Sequence, residues 1–234
     1  LKAVSDAKET ILSSHEYGDI WKVISESIEE PNVPYSHVYT ISKFLPLLPK
    51  NSILQLANSN SVRIAQLYHI DPSIEIHCNR GTDGIDGCMS TTVGFAAATE
   101  KPVFLMIGDL TFFYDMNVVG NRHVGNNVRI MLINNGKGNE FRNYHHPCAF
   151  LGEEADEYVA AAGHYGNKSH KLVKDYATDL GYEYLCASNK EEFLAAVDKF
   201  LSTEKNENPI LFEVFTVTED ESNALEMLCN IVVD

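Results

Sequence analysis

Acidic and amide side chains follow two apolar segments of the chain in a pattern that suits a phosphate held through a metal ion. Asp109 follows the run VFLMIG at residues 103–108, and Asn134 and Asn135 close the run VRIMLINN at residues 128–135. The runs predict two buried parallel strands, joined by one helical crossover. The carboxyl ends of such strands meet at one edge of the sheet, where ligands bind. We therefore expect Asp109 and Asn135 to lie close together, although 26 residues separate them.

The oxygen atoms at this edge are of the kind that Mg²⁺ prefers. A carboxylate from Asp109, an amide oxygen from Asn135 and the backbone carbonyl of Lys137 would supply three ligands, and water or substrate phosphates would complete the set. Gly-Asp and Asn-Asn-Gly are also ordinary turn sequences after strands. The spacing alone therefore leaves a metal site and a pair of plain turns both open.

A glycine-rich segment stands upstream of these residues. The sequence NRGTDGIDG at residues 79–87 follows the apolar run IEIHC at residues 74–78 and precedes the small-residue segment CMSTTVGFAAAT. A strand, a glycine loop and a helix start can bring backbone N–H groups close to an anion. The spacing differs from the dinucleotide-binding fingerprint, because the glycines fall at positions 81, 84 and 87.

The elements that must position these residues form an alternating pattern. Six apolar runs predict strands at residues 53–57, 74–78, 103–108, 128–134, 182–187 and 210–215. Helical patterns alternate with them, including EEFLAAVDKFLS at 191–202 and SNALEMLCNIV at 222–232. This order predicts an α/β fold with a mainly parallel six-stranded sheet and helices on both faces. Residues 135–152 form the one long connection without a clear element, as functional loops often do.

The chain divides into two predicted parts. Residues 1–50 contain helical patterns and are expected to be a helical segment or linker from a preceding domain, whereas residues 51–234 are expected to form a diphosphate- and magnesium-binding domain. The net charge of −15 argues against nucleic acid or an anionic membrane as a partner, because both require clustered cations. Five scattered cysteines predict neither a disulfide framework nor a zinc site, and we expect them to be buried thiols in the cytoplasm.

Five segments taken together resemble those of thiamine diphosphate-dependent enzymes. They are NSNSVR at 58–63, NRGTDGIDG, STTVGFAAA, GDLTFFYDMN at 108–117 and INN at 133–135. Within that family the combination is most similar to the 2-succinyl-5-enolpyruvyl-6-hydroxy-3-cyclohexene-1-carboxylate synthases of menaquinone biosynthesis. The similarity runs from about residue 54 to residue 135.

This resemblance implies thiamine diphosphate and Mg²⁺ as cofactors and assigns roles to individual residues. The implied metal ligands are Asp109, Asn135 and the carbonyl of Lys137. Ile85 would be the apolar prop that bends the cofactor. The implied cofactor-binding residues are Gly84, Ile85, Gly108, Asp109, Leu110, Thr111, Asn135, Gly138 and Phe141. Ser59, Arg63 and Arg80 are implied to bind the carboxylates of the acceptor, and the planar fork of arginine suits this task.

The implied reaction is a transferase reaction in which 2-oxoglutarate is decarboxylated and the succinyl carbanion equivalent is added to isochorismate. The family's catalytic glutamate belongs to a separate pyrimidine-binding domain, so no catalytic residue is assigned in this chain. We expect that domain on the same or a partner chain, a homodimer or homotetramer, and an inactive isolated fragment. The chain is accordingly expected to be a C-terminal cofactor domain.

One position departs from the family pattern. Glu140 stands in the segment GKGNEFRNYHHPC where the synthases carry an isoleucine, so either the acceptor differs or Glu140 turns away from it. Lys137 and Arg142 are candidates to balance Glu140 or to bind an anionic substrate. His145 and His146 are acid–base candidates, with a solvated loop face as the plainer alternative. Another thiamine-dependent 2-oxo acid decarboxylase or acyloin-forming enzyme, and a non-catalytic cofactor-binding module, are the alternative functions.

Overall fold

A six-stranded sheet forms the centre of the protein, for which a computed structural model describes residues 16–204 and 207–230. All neighbouring strands are parallel, in the order β2-β1-β3-β4-β6-β5. The strands are β1 (Ile53–Leu56), β2 (Glu75–Cys78), β3 (Val103–Gly108), β4 (Val128–Asn134), β5 (Glu183–Ala187) and β6 (Ile210–Phe215). The predicted strand bounds agree with these to within one residue, and the predicted α/β fold is confirmed.

The helices alternate with the strands, as parallel pairing requires. They are α1 (Glu16–Ser27), α2 (His37–Phe44), α3 (Asn60–Ala65), α4 (Cys88–Ala97), α5 (Asp109–Tyr114), α6 (Leu172–Asp179), α7 (Lys190–Leu201) and α8 (Thr218–Cys229). Local sequence fixes some of their starts: the side chain of Asn189 accepts a hydrogen bond from the backbone N–H of Glu192 at 2.9 Å and caps α7. The final helix begins four residues before its predicted start. The predictions for residues 1–15, 231 and 232 lie outside the described residues.

Two hydrophobic clusters cover the two faces of the sheet. The first contains α2, α3, α7 and α8, and the rings of Phe44, Phe104, Phe200 and Phe212 contact one another in it. The second contains α4, α5 and α6. The helix α2 therefore shares a core with the sheet, and the proposed domain boundary near residue 50 stays a prediction.

The chain leaves two neighbouring strands toward opposite faces of the sheet. After β1 it enters α3 on the first face, and after β3 it enters α5 on the second. Because β1 and β3 are adjacent, a crevice opens between their carboxyl ends, which is the usual ligand position in open parallel sheets.

Short 3₁₀ segments occupy the long connection after β4, at Asn139–Arg142 and Ala149–Ala155. The expectation of buried cysteines holds for Cys88 alone: Cys148 is half-buried, and Cys78, Cys186 and Cys229 are exposed. Cys78 and Cys186 lie on β2 and β5, the two edge strands of the sheet, where one flank has no neighbouring strand. No helix among the described residues is long and apolar enough to cross a membrane.

Candidate cofactor and substrate site

A cavity of about 220 Å³ lies in the crevice between the carboxyl ends of β1 and β3. It is bounded on one side by α3 and on the other by the start of α5 and the connection after β4. Its lining residues are His37, Asn58, Ser59, Asn60, Ser61, Arg63, Asp83, Ile85, Gly108, Asp109, Leu110, Thr111, Ile133, Asn135, Gly138, Asn139, Glu140 and Phe141.

Asp109 organises the ends of β3 and β4. Its carboxylate is 1% exposed and accepts three backbone hydrogen bonds: Oδ1 from Leu110 N–H at 2.7 Å, and Oδ2 from Asn135 and Gly136 at 3.1 and 2.6 Å. The imidazole of His164 lies 3.6 Å from Oδ2. The structure thus brings Asp109 and Asn135 together, as the strand arrangement predicts.

The implied metal ligands are compatible with this arrangement. Oδ1 of Asp109 accepts a single hydrogen bond, and a carboxylate oxygen carries a second lone pair. The side-chain oxygen of Asn135 accepts only a long hydrogen bond of 3.3 Å from Lys137 N–H. Residues 16–204 and 207–230 contain no cluster of three His, Cys, Asp or Glu side chains that could hold a metal, but a set of one carboxylate, one amide and one carbonyl does not need such a cluster.

Most of the implied cofactor-binding residues line the cavity, and Gly84 is the exception. Gly138 has a φ of +59°, a conformation that L side chains rarely adopt. A Cβ atom there would lie 3.2 Å from the Cβ atoms of both Leu110 and Ala161. The turn after Asn135 therefore requires glycine for its close approach to α5.

The residues implied to bind substrate contact acidic side chains of this chain. Ser59 Oγ donates to Oε2 of Glu140 at 2.9 Å, and the guanidinium of Arg63 forms an ion pair with Oε1 of the same carboxylate. Arg80 lies at the rim, where it pairs with Asp83 and donates to Oδ1 of Asn58 at 3.2 Å. Glu140 thus faces the cavity.

Neither Lys137 nor Arg142 balances Glu140. Lys137 Nζ lies 3.3 Å from Asp156, and Arg142 forms an ion pair with the same carboxylate. His146 accepts a hydrogen bond from Cys148 N–H at 3.1 Å, and neither His145 nor His146 lines the cavity. The ring of His146 instead packs edge-on against Phe141, which does line the cavity, with 5.1 Å between the ring centroids.

A functional candidate that sequence reasoning missed is His37, the first residue of α2. It lines the cavity, and its Nε2 is buried without a hydrogen-bond partner. Burial lowers the pKa of the imidazole to about 3, so it is neutral at physiological pH. Its backbone N–H donates to buried Glu221 at 2.9 Å, a carboxyl whose pKa burial raises to about 7. A buried imidazole nitrogen without a partner, on a residue that lines the cavity, is a candidate for a hydrogen bond to a ligand.

A second buried glutamate holds the end of β4 in place. Glu213 on β6 is 1% exposed and accepts hydrogen bonds from Asn134 Nδ2 and from the hydroxyl of Tyr184, both at 2.7 Å. Burial raises the pKa of this carboxyl to about 7. Asn134 also donates to the carbonyl of Gly166 at 3.1 Å, so it ties the end of β4 to the segment that follows the long connection.

Comparison with known proteins identifies relatives of the chain. No family model matches the chain. The chain is 39% identical over 209 residues to the 2-succinyl-5-enolpyruvyl-6-hydroxy-3-cyclohexene-1-carboxylate synthase of Phocaeicola vulgatus, which covers 89% of the chain and 36% of that relative. The synthase of the same name from Bacteroides thetaiotaomicron is 38% identical over 212 residues (90% of the chain, 37% of the relative). That of Flavobacterium johnsoniae is 39% identical over 188 residues (80% and 32%).

The chain spans little more than a third of the length of the curated relatives it matches. The aligned region includes strands, helices and connections alike, because it spans about nine-tenths of the chain. The predicted resemblance is therefore confirmed, and the chain is a homologue of part of the 2-succinyl-5-enolpyruvyl-6-hydroxy-3-cyclohexene-1-carboxylate synthases.

Proposed function

We propose that the chain is the C-terminal thiamine diphosphate- and magnesium-binding domain of a carboligase related to these synthases. The observation that carries the proposal is the meeting of Asp109 and Asn135 at the ends of adjacent strands, in a cavity that Gly108, Leu110 and Thr111 also line. The similarity to about a third of each synthase supports the assignment to one domain of a larger protein.

The described residues fit the proposed cofactors. Asp109, Asn135 and the Lys137 carbonyl would hold Mg²⁺, and Gly108, Leu110 and Thr111 would hold the diphosphate at the start of α5. Ile85 and Phe141 would supply apolar contacts. When bound, thiamine diphosphate supplies the electron sink for decarboxylation of a 2-oxo acid and transfer of its acyl group. The protein's part is to bind, to orient and to exclude water.

The site is proposed to be completed by another domain. A groove lies beside the cavity and is lined mainly by apolar side chains. Three of them, Ile85, Leu110 and Phe141, also line the cavity. Tyr158, which also lines the groove, is 85% exposed, and Phe150, the sequence neighbour of the lining residue Leu151, is 81% exposed. Apolar surface of this kind suits coverage by the pyrimidine-binding domain of the same or a partner chain, in a homodimer or homotetramer. That domain would bring the catalytic glutamate, so the isolated chain is expected to be inactive.

The proposed reaction takes 2-oxoglutarate as donor and isochorismate as acceptor, as the family resemblance implies. A second candidate is a thiamine-dependent decarboxylase or carboligase with another acceptor. The observation that favours it is the contact of Glu140 with Ser59 and Arg63, which engages the residues assigned to acceptor binding. Three exposed free cysteines suit a reducing compartment, and we place either reaction in the cytoplasm.

Thermal melts with thiamine diphosphate, with and without Mg²⁺, test the cofactor site. A ligand present at about 100 times its dissociation constant stabilises the native state by roughly 2.7 kcal/mol. For a chain of this size we expect a rise in Tm of about 5–10 °C that requires both components. Asn135→Leu should remove the shift, because it deletes the amide oxygen while it disturbs only one long hydrogen bond.

The matched control is Asn230→Leu, an exposed asparagine outside the site that should keep the full shift. A shift that persists in Asn135→Leu, or that needs no Mg²⁺, would contradict the metal assignment. The same melts are run on the protein joined to its pyrimidine-binding domain. No shift there would overturn the proposed function.

A further inference from the structure

The cavity contains an anion-binding pair that is already engaged. Ser59 Oγ and the Arg63 guanidinium, at the start and in the last turn of α3, both contact the carboxylate of Glu140. Glu140 reaches them from the connection after β4, 81 and 77 residues along the chain. A hydroxyl and a guanidinium that converge on two carboxylate oxygens are the groups that would otherwise receive a carboxylate of a ligand.

The position of Glu140 is fixed by its neighbours. Asn139 is buried and its Nδ2 donates to Oδ1 of Asn143 at 3.3 Å, and Asn143 Nδ2 donates to Oδ1 of Asn60 at 3.2 Å. This chain of amides holds the 3₁₀ turn that carries Glu140 against the start of α3. Across the contact, Ser59 has a φ of +78°, a strained backbone conformation of the kind found at functional positions.

The other charged side chains around the cavity also disfavour the binding of a ligand carboxylate. Among the described residues that line it, Arg63 is the one lysine or arginine, whereas Asp83, Asp109 and Glu140 are acidic. Arg80 at the rim pairs with Asp83, and Lys137 and Arg142 pair with Asp156 outside the cavity. A ligand carboxylate would therefore have to displace Glu140 to find an unbalanced cation.

We propose that Glu140 is a specificity-determining residue whose carboxylate fills the Ser59–Arg63 anion site, so that this chain takes an acceptor without a carboxylate at that end. This selects the second candidate function, in which the acceptor differs from isochorismate. The assignment of the cavity to acceptor binding rests on the proposed function, but the occupancy of the anion site by Glu140 does not. The acceptor class is then a compound whose end at α3 carries no negative charge.

Titration with glutarate, a small dicarboxylate, tests the proposal by calorimetry in the absence of thiamine diphosphate and Mg²⁺. We expect weak binding to the wild-type protein. For Glu140→Ala we expect a Kd at least tenfold lower, because this substitution leaves Ser59 and Arg63 free to bind a ligand carboxylate. Glu140→Gln, which keeps a hydrogen-bond acceptor but removes the charge, should give an intermediate gain and covers the case in which the alanine variant folds poorly. Adding Arg63→Ala to either variant should abolish the gain.

Glu153→Ala is the matched control, because it removes an equal charge from an exposed glutamate of the neighbouring 3₁₀ segment and should leave the Kd unchanged. Equal affinity of the wild-type and both Glu140 variants would overturn the proposal. So would a gain that survives Arg63→Ala, since the carboxylate would then bind elsewhere. Because no thiamine compound is present, failure of the cofactor assignment leaves this result unaffected.

Discussion

Replacing Asp109 with alanine is expected to lower the free energy of unfolding by about 3–5 kcal/mol and to abolish thiamine diphosphate binding. The carboxylate accepts hydrogen bonds from three backbone N–H groups, and each buried donor left unpaired costs roughly 1–3 kcal/mol. Urea denaturation measures the loss of stability, and the thermal melts described above measure the loss of binding. The effect on stability comes from the turn after β4, which Asp109 holds against the end of β3.

The control for this substitution is Asp198→Ala, an exposed aspartate on α7, where a change within about 0.5 kcal/mol is expected. A loss below about 1 kcal/mol in Asp109→Ala would contradict the structural role, since the three N–H groups would then have other partners. Asp109 is proposed both to support the turn and to bind the metal. Asn135→Leu is therefore the better test of metal binding, because it removes a proposed ligand without removing the support of the turn.

Glu213→Gln is expected to remove a pH dependence of stability worth about 3 kcal/mol. Burial raises the pKa of this carboxyl from its ordinary 4.5 to about 7 in the folded protein. Between these two pH values the folded state binds more protons than the unfolded state, so the free energy of unfolding falls as pH rises. At about 1.4 kcal/mol per pKa unit, the full loss is about 3 kcal/mol. Glutamine is neutral throughout and can still accept from Asn134 and contact the Tyr184 hydroxyl.

The measurement is urea denaturation of wild type and variant at pH 5, 6, 7 and 8. Buried Glu221, whose pKa is also raised, affects both proteins equally and cancels in their difference. The stability of Glu213→Gln relative to wild type should rise with pH across this window. Glu226→Gln, at an exposed position on α8, is the matched control for the loss of one carboxyl group. A flat difference for Glu213→Gln would mean that its carboxyl titrates normally in the folded protein.

The sheet was predictable because its strands are short, continuous apolar runs. Residues 103–108 and 128–134 are predicted at the bounds observed, since buried parallel strands tolerate few polar residues and turn residues follow them. The approach of Asp109 to Asn135 follows from the same reasoning, because parallel strands must end at one edge. Local sequence therefore predicts both the scaffold and the pair of residues at its edge.

Other parts of the site depend on contacts between distant segments. His37 starts an ordinary amphipathic helix, and nothing in its neighbouring sequence indicates that α2 packs beside the cavity. The partner of Glu140 could not be chosen from sequence either, because Arg142 is two residues away whereas Arg63, the residue it contacts, is 77 residues away. The exposure of the two cysteines on edge strands was missed for a related reason. The apolar runs predict where the strands are, but not which of them lie at the edges of the sheet.

The strand order also bears on the folding of the chain during its synthesis. β5 pairs only with β6, which comes later in the chain and inserts between β5 and β4. At roughly 5–20 residues per second of translation, β5 and the flank of β4 stay unpaired for about 1–6 s after β5 is made. During that interval the open strand edges are a hazard for wrong pairing. The buried contact from Asn134 to Glu213 forms only when β6 arrives, so the cofactor site is among the last parts of the nascent chain to mature.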